Sequence, residues 1–497
     1  MKRGGAATNL AALAAVALAL LAPSQLSAAR DENREVQAAL MQHIKVLASD
    51  EFQGREPGTD GEGMTLRYLA RQWFDIGLES GTNDPGHDWF APVRLVAREP
   101  DASVAQFSRK GRRQYVPRDS VWMLTSGKRA LVKDAPLLFV GNGSQVSLGR
   151  TELAGRVAML LDGGVTDSKR QNELLAAGAA AVLTVLDGDR TLDNVSARRK
   201  RSGYALADDA LGGDLEGFIT RDGAQALLKG SGNTLQTLED AASKSDFSPI
   251  PLDVAGSLEA TTRETTILTH NLIGKLPGRR PDGIAVLFVA HWDHFGICAV
   301  PPAEDLICNG AIDNASGVAV LTEVARQLSA GRPIDRDVYF LASTAEELGL
   351  LGAHAFAESP PVPLKQFIAA FNIDSVAIAP KGSALAIVGR GMTRLDPQIE
   401  AVAKRQRRKV IQDSAANVYV QRQDGWALLQ HDVPAVMVTS AYSDLGRLEK
   451  FFDTDYHRPS DDLKRPIELG GAADDTGFYV ALARWFGDIR KVPKPAA

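Results

Sequence analysis

Cysteine is nearly absent from this chain: Cys298 and Cys308 are the only two. Two cysteines cannot make a disulfide framework. They can close one small loop in an oxidising compartment, or supply thiolate ligands to a metal. Excess positive charge is also missing, with 56 Lys and Arg against 61 Asp and Glu, a net charge of −5 and a pI near 6.0. That excludes the basic face of a nucleic-acid binder. The one dense basic run, Lys404 to Lys409, reads as a solvated face or turn. Long apolar runs are missing after the N-terminus, so no later segment spans a membrane. At the N-terminus, Lys2 and Arg3 precede an apolar stretch from Leu10 to Leu21, and Ser27-Ala28-Ala29 offers small residues for cleavage. Residues 1–29 are therefore predicted to be a signal peptide, implying periplasmic or secreted location, with an uncleaved anchor as the alternative. The 497 residues exceed one ordinary core.

What the chain does contain falls into three textures. Val36, Leu40, Ile44 and Leu47 predict one helix, and Leu66, Leu69, Ala70, Trp73 and Phe74 predict another after Gly54-Arg55-Glu56-Pro57-Gly58. Residues 90–134 suggest small strands. From Ala135 the pattern changes. Gly155 to Gly163 and Ala177 to Val185 read as buried strands, 187–204 as a loop and 228–250 as a linker. This block has no cluster of His, Cys and carboxylates. The predicted division is 30–130 and 256–492 as one α/β domain, with 131–255 inserted as a smaller α/β module.

From Asn271 onward strands and helices alternate. Continuous apolar runs end at His291, before Ser343, at Asp374 and at Val438, with a helix over 315–328 between the first two. Strands without polar alternation, separated by helices, predict a mostly parallel-centred mixed sheet covered by helices on both faces. Ligands bind beyond the carboxyl ends of such strands. His291-Trp292-Asp293-His294, Glu346-Glu347 and Asp374 all fall at that edge.

Imidazole and carboxylate groups hold zinc, and a carboxylate can bridge two metals. Asp313 sits among small residues in Asn309 to Gly317, which suits a bridge. Of the adjacent acids Glu346 and Glu347, one can ligate while the other takes a proton from the attacking water. Each residue also has an ordinary reading: Asp313 as a helix cap, Glu346-Glu347 as first-turn acids. The conjunction favours a site. His457 lies in an acidic loop, a weak ligand signal when taken alone. His43, His87, His270, His354 and His431 lack such a setting and read as structural, and His294 reads as a pocket-wall or supporting residue. With a metal set complete without sulfur, the cysteines favour the disulfide.

The series His291-Trp292-Asp293, Gly310 to Gly317, Ala345 to Gly352, Asn372-Ile373-Asp374 and Tyr456-His457 resembles the co-catalytic zinc aminopeptidases of the aminopeptidase Y and bacterial leucyl aminopeptidase type. The likeness covers roughly 35–95, including Gly54-Arg55 and Pro57-Gly58, and 265–490. The inserted block resembles a protease-associated domain. The resemblance implies a zinc exopeptidase fold, two Zn²⁺ with Co²⁺ or Mn²⁺ as substitutes, and peptide substrates cut at the N-terminal bond. It implies that His291 and Asp374 hold one zinc, Glu347 and His457 the other, and that Asp313 bridges. It makes Glu346 the general base, Asp293 the carboxylate orienting His291, and Tyr456 a stabiliser of the oxyanion. A carboxypeptidase or dipeptidase on this scaffold, a glutaminyl-cyclase-like transferase and a receptor-like binding protein are the alternatives. The complete ligand set speaks against the last two.

Overall fold

The computed structural model describes residues 32–494 except 84, 85, 87, 143–147, 163–166, 188–189, 196–202 and 210–213. The predicted signal peptide and His87 lie outside the described residues. Two compact units form, one from the segments up to Val93 and from Leu268 onward, the other from Arg94–Ile267. Among the described residues, no helix is long and apolar enough to cross a membrane.

In the first unit, four strands run parallel in the spatial order Ala435–Thr439, Phe367–Asn372, Ala285–His291, Asp337–Ser343. Ala386–Val388 adds antiparallel at one edge, and residues 272–276 of the strand Ile250–Leu276 add antiparallel at the other. Alternate side chains serve opposite faces. Val286, Phe288 and Ala290 join one core, while Ala285, Leu287 and Val289 join the other. Apolar residues at every position are thus needed, because both faces are covered. The helices Asp60–Asp75, Gly317–Ser329 and Gly470–Phe486 bury against the first face. Phe288 lies at its centre, with ring centroids 5.8 Å from Phe340, 5.4 Å from Phe371 and 6.0 Å from Tyr479.

The predicted helix faces hold, with one exception. Val36, Leu40, Ile44 and Leu47 are buried in a helix over 32–47, as are Val320, Leu321, Val324 and Leu328 in Gly317–Ser329. Phe74 is 68% exposed. Leu66, Leu69 and Trp73 already complete one stripe, and Phe74 stands a full residue step around the helix from it.

The chain leaves the central strand Ala285–His291 and returns on one side as Asp337–Ser343, then on the other as Phe367–Asn372. Strand order therefore reverses at His291, the kind of crevice where open α/β sheets bind ligands.

The second unit has its own parallel strands, Arg129–Phe139, Val157–Leu161, Ala181–Val185 and Leu215–Ile219, with Val121–Thr125 antiparallel to the last. It begins at Arg94 and ends at Ile267, wider on both sides than the predicted 131–255. The reason is pairing: residues 95–97 of the strand Phe90–Arg109 pair with Tyr204–Leu206, and residues 250–261 pair with Arg129–Phe139. The small strands expected over 90–134 include this one of 20 residues. The linker expected at 228–250 is not one. It contains the helix Leu235–Ala242, capped by Thr234, whose Leu235 and Leu238 are buried in the unit's core. Its polar residues are the exposed face of a short amphipathic helix, which composition alone cannot separate from a linker.

Replacing Phe288 with Ala should destabilise the first unit by about 3–5 kcal/mol. The check is its melting transition, and an unchanged midpoint would remove Phe288 from the centre of the core.

Candidate metal centre

The five predicted ligands arrive from five segments. His291 ends the central strand. Asp313 lies in a wide irregular turn, Ala311–Ser316, with non-helical backbone angles at Asp313 and Asn314. Glu347 follows the strand Asp337–Ser343, and Asp374 follows Phe367–Asn372. His457 comes after the helix Leu445–Thr454. Asp313 is central. Its Oδ1 is 3.3 Å from His291 Nε2, and its Oδ2 is 3.4 Å from His457 Nε2. His291 Nε2 is 3.5 Å from Asp374 Oδ1, and His457 Nε2 is 3.0 Å from Glu347 Oε2. Three triads could each hold a cation: His291, Asp313 and Asp374; His291, Glu346 and Glu347; and His294, Asp313 and Glu347. His457, with 34% of its side chain exposed, is the open side of an otherwise buried group.

The ordinary readings of these acids do not hold. Asp313 caps nothing; its neighbour Asn314 accepts from the Gly317 and Ser375 amides and donates to Ile373 O. Glu346 and Glu347 sit in a turn ahead of the helix Leu351–Glu358, outside its first turn. Ala345, Ser375 and His457 have φ of 53°, 50° and 59°. Non-glycine residues in the left-handed region are uncommon and cost about 1–3 kcal/mol each. All three adjoin or belong to the ligand set, so the fold spends strain where it aims these carboxylates and the imidazole.

Three groups hold the frame. Asp293 Oδ1 and Oδ2 accept the amides of Glu346 and Glu347 at 3.1 and 3.4 Å. Its carboxylate is 3.7 Å from His291 Nδ1, which bonds instead to the Asp293 carbonyl at 3.2 Å. Asp461 accepts the amides of Ile312 and Asp313. Arg55 is fully buried and donates to the carbonyls of Leu47, Trp292, Asn309 and Gly310. Burial lowers its guanidinium to about 10, so it stays charged at neutral pH. Neither Arg55 nor Asp461 was singled out as functional from sequence. The one signal was Gly54-Arg55 recurring in the resemblance.

Tyr456 stacks on His457 with ring centroids 3.6 Å apart; burial, then the nearby carboxylates, push its phenol well above the usual range. Asp424 was not singled out from sequence. Asp424 accepts a hydrogen bond from Ser343 Oγ, beside the end of the central strand, and burial raises its carboxyl to about 7. The cysteines are joined as Cys298–Cys308. Of the histidines read as structural, His43 bonds Tyr68, His270 bonds Glu62, and His354 and His431 face each other.

The electrostatics separate the two adjacent acids. Burial, with the charges of Glu347 and Asp374, holds Glu346 well above the usual carboxyl range. Glu347 is also pushed up by burial and Asp313, but the adjacent His294 and His457 imidazoles bring it below that range. Neighbouring carboxyls driven apart this way suit a proton carrier and a ligand. Four buried atoms, His291 Nε2, Asp313 Oδ2, His457 Nε2 and His294 Nε2, have no hydrogen-bond partner. Buried polar atoms are normally satisfied. The donor set is nitrogen and oxygen, which zinc accepts. The residues therefore fit zinc.

Residues 271–478 match Peptidase family M28. The matched segment includes His291, Asp313, Glu347, Asp374 and His457. The chain is 29% identical over 244 residues to Aminopeptidase YwaD of Bacillus subtilis, a match covering 49% of this chain and 44% of that protein. It is 32% identical over 108 residues to the Vacuolar membrane protease of Candida glabrata, covering 22% and 10%. The chain thus spans less than half the length of each. The solved aminopeptidase from Aneurinibacillus sp. strain AM-1 superposes with a TM-score of 0.54 at 18% identity, covering 93% of this chain and 96% of that one. That likeness shows a shared fold.

Arg55→Met should cost roughly 3 kcal/mol or more, because several buried carbonyls lose their donor. Chemical denaturation checks this; wild-type stability in the variant would mean that water replaces the guanidinium at no cost.

Proposed function

We propose that this protein is an exported zinc aminopeptidase that hydrolyses N-terminal peptide bonds with two Zn²⁺. The observation that carries the reading is Asp313, which offers one oxygen to His291 and the other to His457. In this reading Asp313 would serve both metal positions, His291 and Asp374 would complete one, and Glu347 and His457 would complete the other. Bound dications supply Lewis acidity, polarising a carbonyl and making water a stronger acid. Glu346 takes the proton from the attacking water and returns it to the leaving amine; its raised pKa suits both directions. Asp293 holds the backbone of Glu346 and Glu347, fixing the base against the ligands. Tyr456, stacked on His457, would donate to the oxyanion as the carbonyl becomes tetrahedral. The disulfide suits an oxidising compartment, in keeping with export to the periplasm or beyond. Among the described residues, none of the candidate metal triads falls in Arg94–Ile267, which we read as a protease-associated type of insert.

The test is metal analysis of the purified protein, with hydrolysis of aminoacyl substrates measured against peptides offering a free C-terminus. Two zinc ions per chain and chelator-sensitive aminoacyl hydrolysis are expected. Cleavage from the C-terminus alone would move the protein to the carboxypeptidase alternative. Glu346→Gln should keep its zinc and lose about 10²–10⁴-fold in kcat; turnover at the wild-type rate removes Glu346 as the base. Imidazole binds metal only when unprotonated, so zinc retention should fall as the pH is lowered from neutrality into the acid range. Equilibrium dialysis across that range reads it directly.

A further inference from the structure

His294 is not among the residues to which the resemblance gives a role, yet it is buried inside the cluster. Its side chain is inaccessible to solvent, and its Nδ1 lies 2.5 Å from Oε1 of Glu347. A carboxylate can only accept, so Nδ1 carries the hydrogen and donates. The two oxygens of Glu347 therefore have separate tasks: Oε1 faces His294 and Oε2 faces His457 at 3.0 Å. We propose that His294 is a positioning residue for the Glu347 side of the metal pair, holding Oε1 so that Oε2 alone is presented beside Asp313 and His457.

The surroundings are built for this ring. The His294 amide donates to the Arg55 carbonyl at 3.3 Å, and the Arg55 side chain clamps the carbonyls of Asn309 and Gly310. Gly310 has φ of +56°, and a Cβ there would lie 2.7 Å from His294 Cγ and Cδ2. The glycine thus serves both a left-handed turn and a slot for the imidazole. Phe295 packs edge-on against both rings, 5.2 Å from His294 and 4.5 Å from His457. The result is a ring fixed on its faces and free to act only through its nitrogens. Hydrogen bonds to ligating carboxylates commonly change metal affinity by about 10–100-fold when removed.

The inference rests on the two-zinc reading, and the experiment separates the two. Zinc affinity at both positions is measured by competition with a chromogenic chelator, and stoichiometry by native mass spectrometry, for wild type, His294→Ala and His294→Asn. Asn places an amide N–H where Nδ1 stood. Wild type should bind two zinc ions. His294→Ala should weaken one by about 10–100-fold and leave the other unchanged, and His294→Asn should recover most of the loss at an unchanged melting temperature. Equal affinities in wild type and His294→Ala overturn the proposal and leave the two-zinc reading standing. Loss of zinc in both variants overturns it in favour of His294 as a direct ligand. Equal loss of both zinc ions with a lowered melting temperature overturns it in favour of a purely structural role. A wild type that takes up no zinc overturns both readings.

Discussion

Buried negative charge has to be compensated, and the far edge of the first unit's sheet gathers a great deal of it. Asp293, Asp313, Glu346, Glu347, Asp374, Asp424 and Asp461 all lie near His291 with little solvent. Desolvating even one carboxylate is costly without a partner. Arg55 offsets part of this charge, and buried polar atoms of His291, His294, Asp313, Asp424 and His457 still lack partners. Bound divalent cations would offset the imbalance, and so the proposed reading of the site follows from the same charge that would otherwise destabilise it.

The remainder of the unit can be understood as the means of holding that charge in place. The parallel strands deliver His291, Glu347 and Asp374 to one edge, and the reversal of strand order at His291 opens the crevice between them. The turns are then pinned by groups that never need to touch a substrate. Asp293 collects the Glu346 and Glu347 amides, Asp461 collects those of Ile312 and Asp313, and Arg55 gathers four carbonyls. Left-handed residues at Ala345, Ser375 and His457 show where the backbone is bent to aim a side chain. The stacked aromatic residues around Phe288 supply the rigid base on which this strain is carried.

Much of this was legible in the sequence, because burial on both sheet faces forces unbroken apolar runs and places polar residues at their ends. The strands ending at His291, before Glu346 and at Asp374 could be read that way, and so could the helix faces of Val36 to Leu47 and Val320 to Leu328. Misreadings arose where a pattern was short or its face ambiguous. Phe74 fell just outside its helix stripe, and the small helix Leu235–Ala242 had too few apolar positions to stand out from a linker. Pairing of Phe90–Arg109 with a distant strand, which widens the second unit, has no local signature at all.

The sequence by itself determined which imidazoles and carboxylates stand at the strand ends and their order along the chain, since residue type at a strand end is a local property. Only the tertiary structure decided that His294 bonds Glu347, that the His291 ring bonds the Asp293 carbonyl ahead of its carboxylate, and that Arg55 clamps the loop of Asp313 from more than 200 residues away. Hydrogen bonds of a few ångströms between remote segments depend on how the strands and turns pack. No local pattern records that packing, so these partnerships become visible only once the chain has closed around the site.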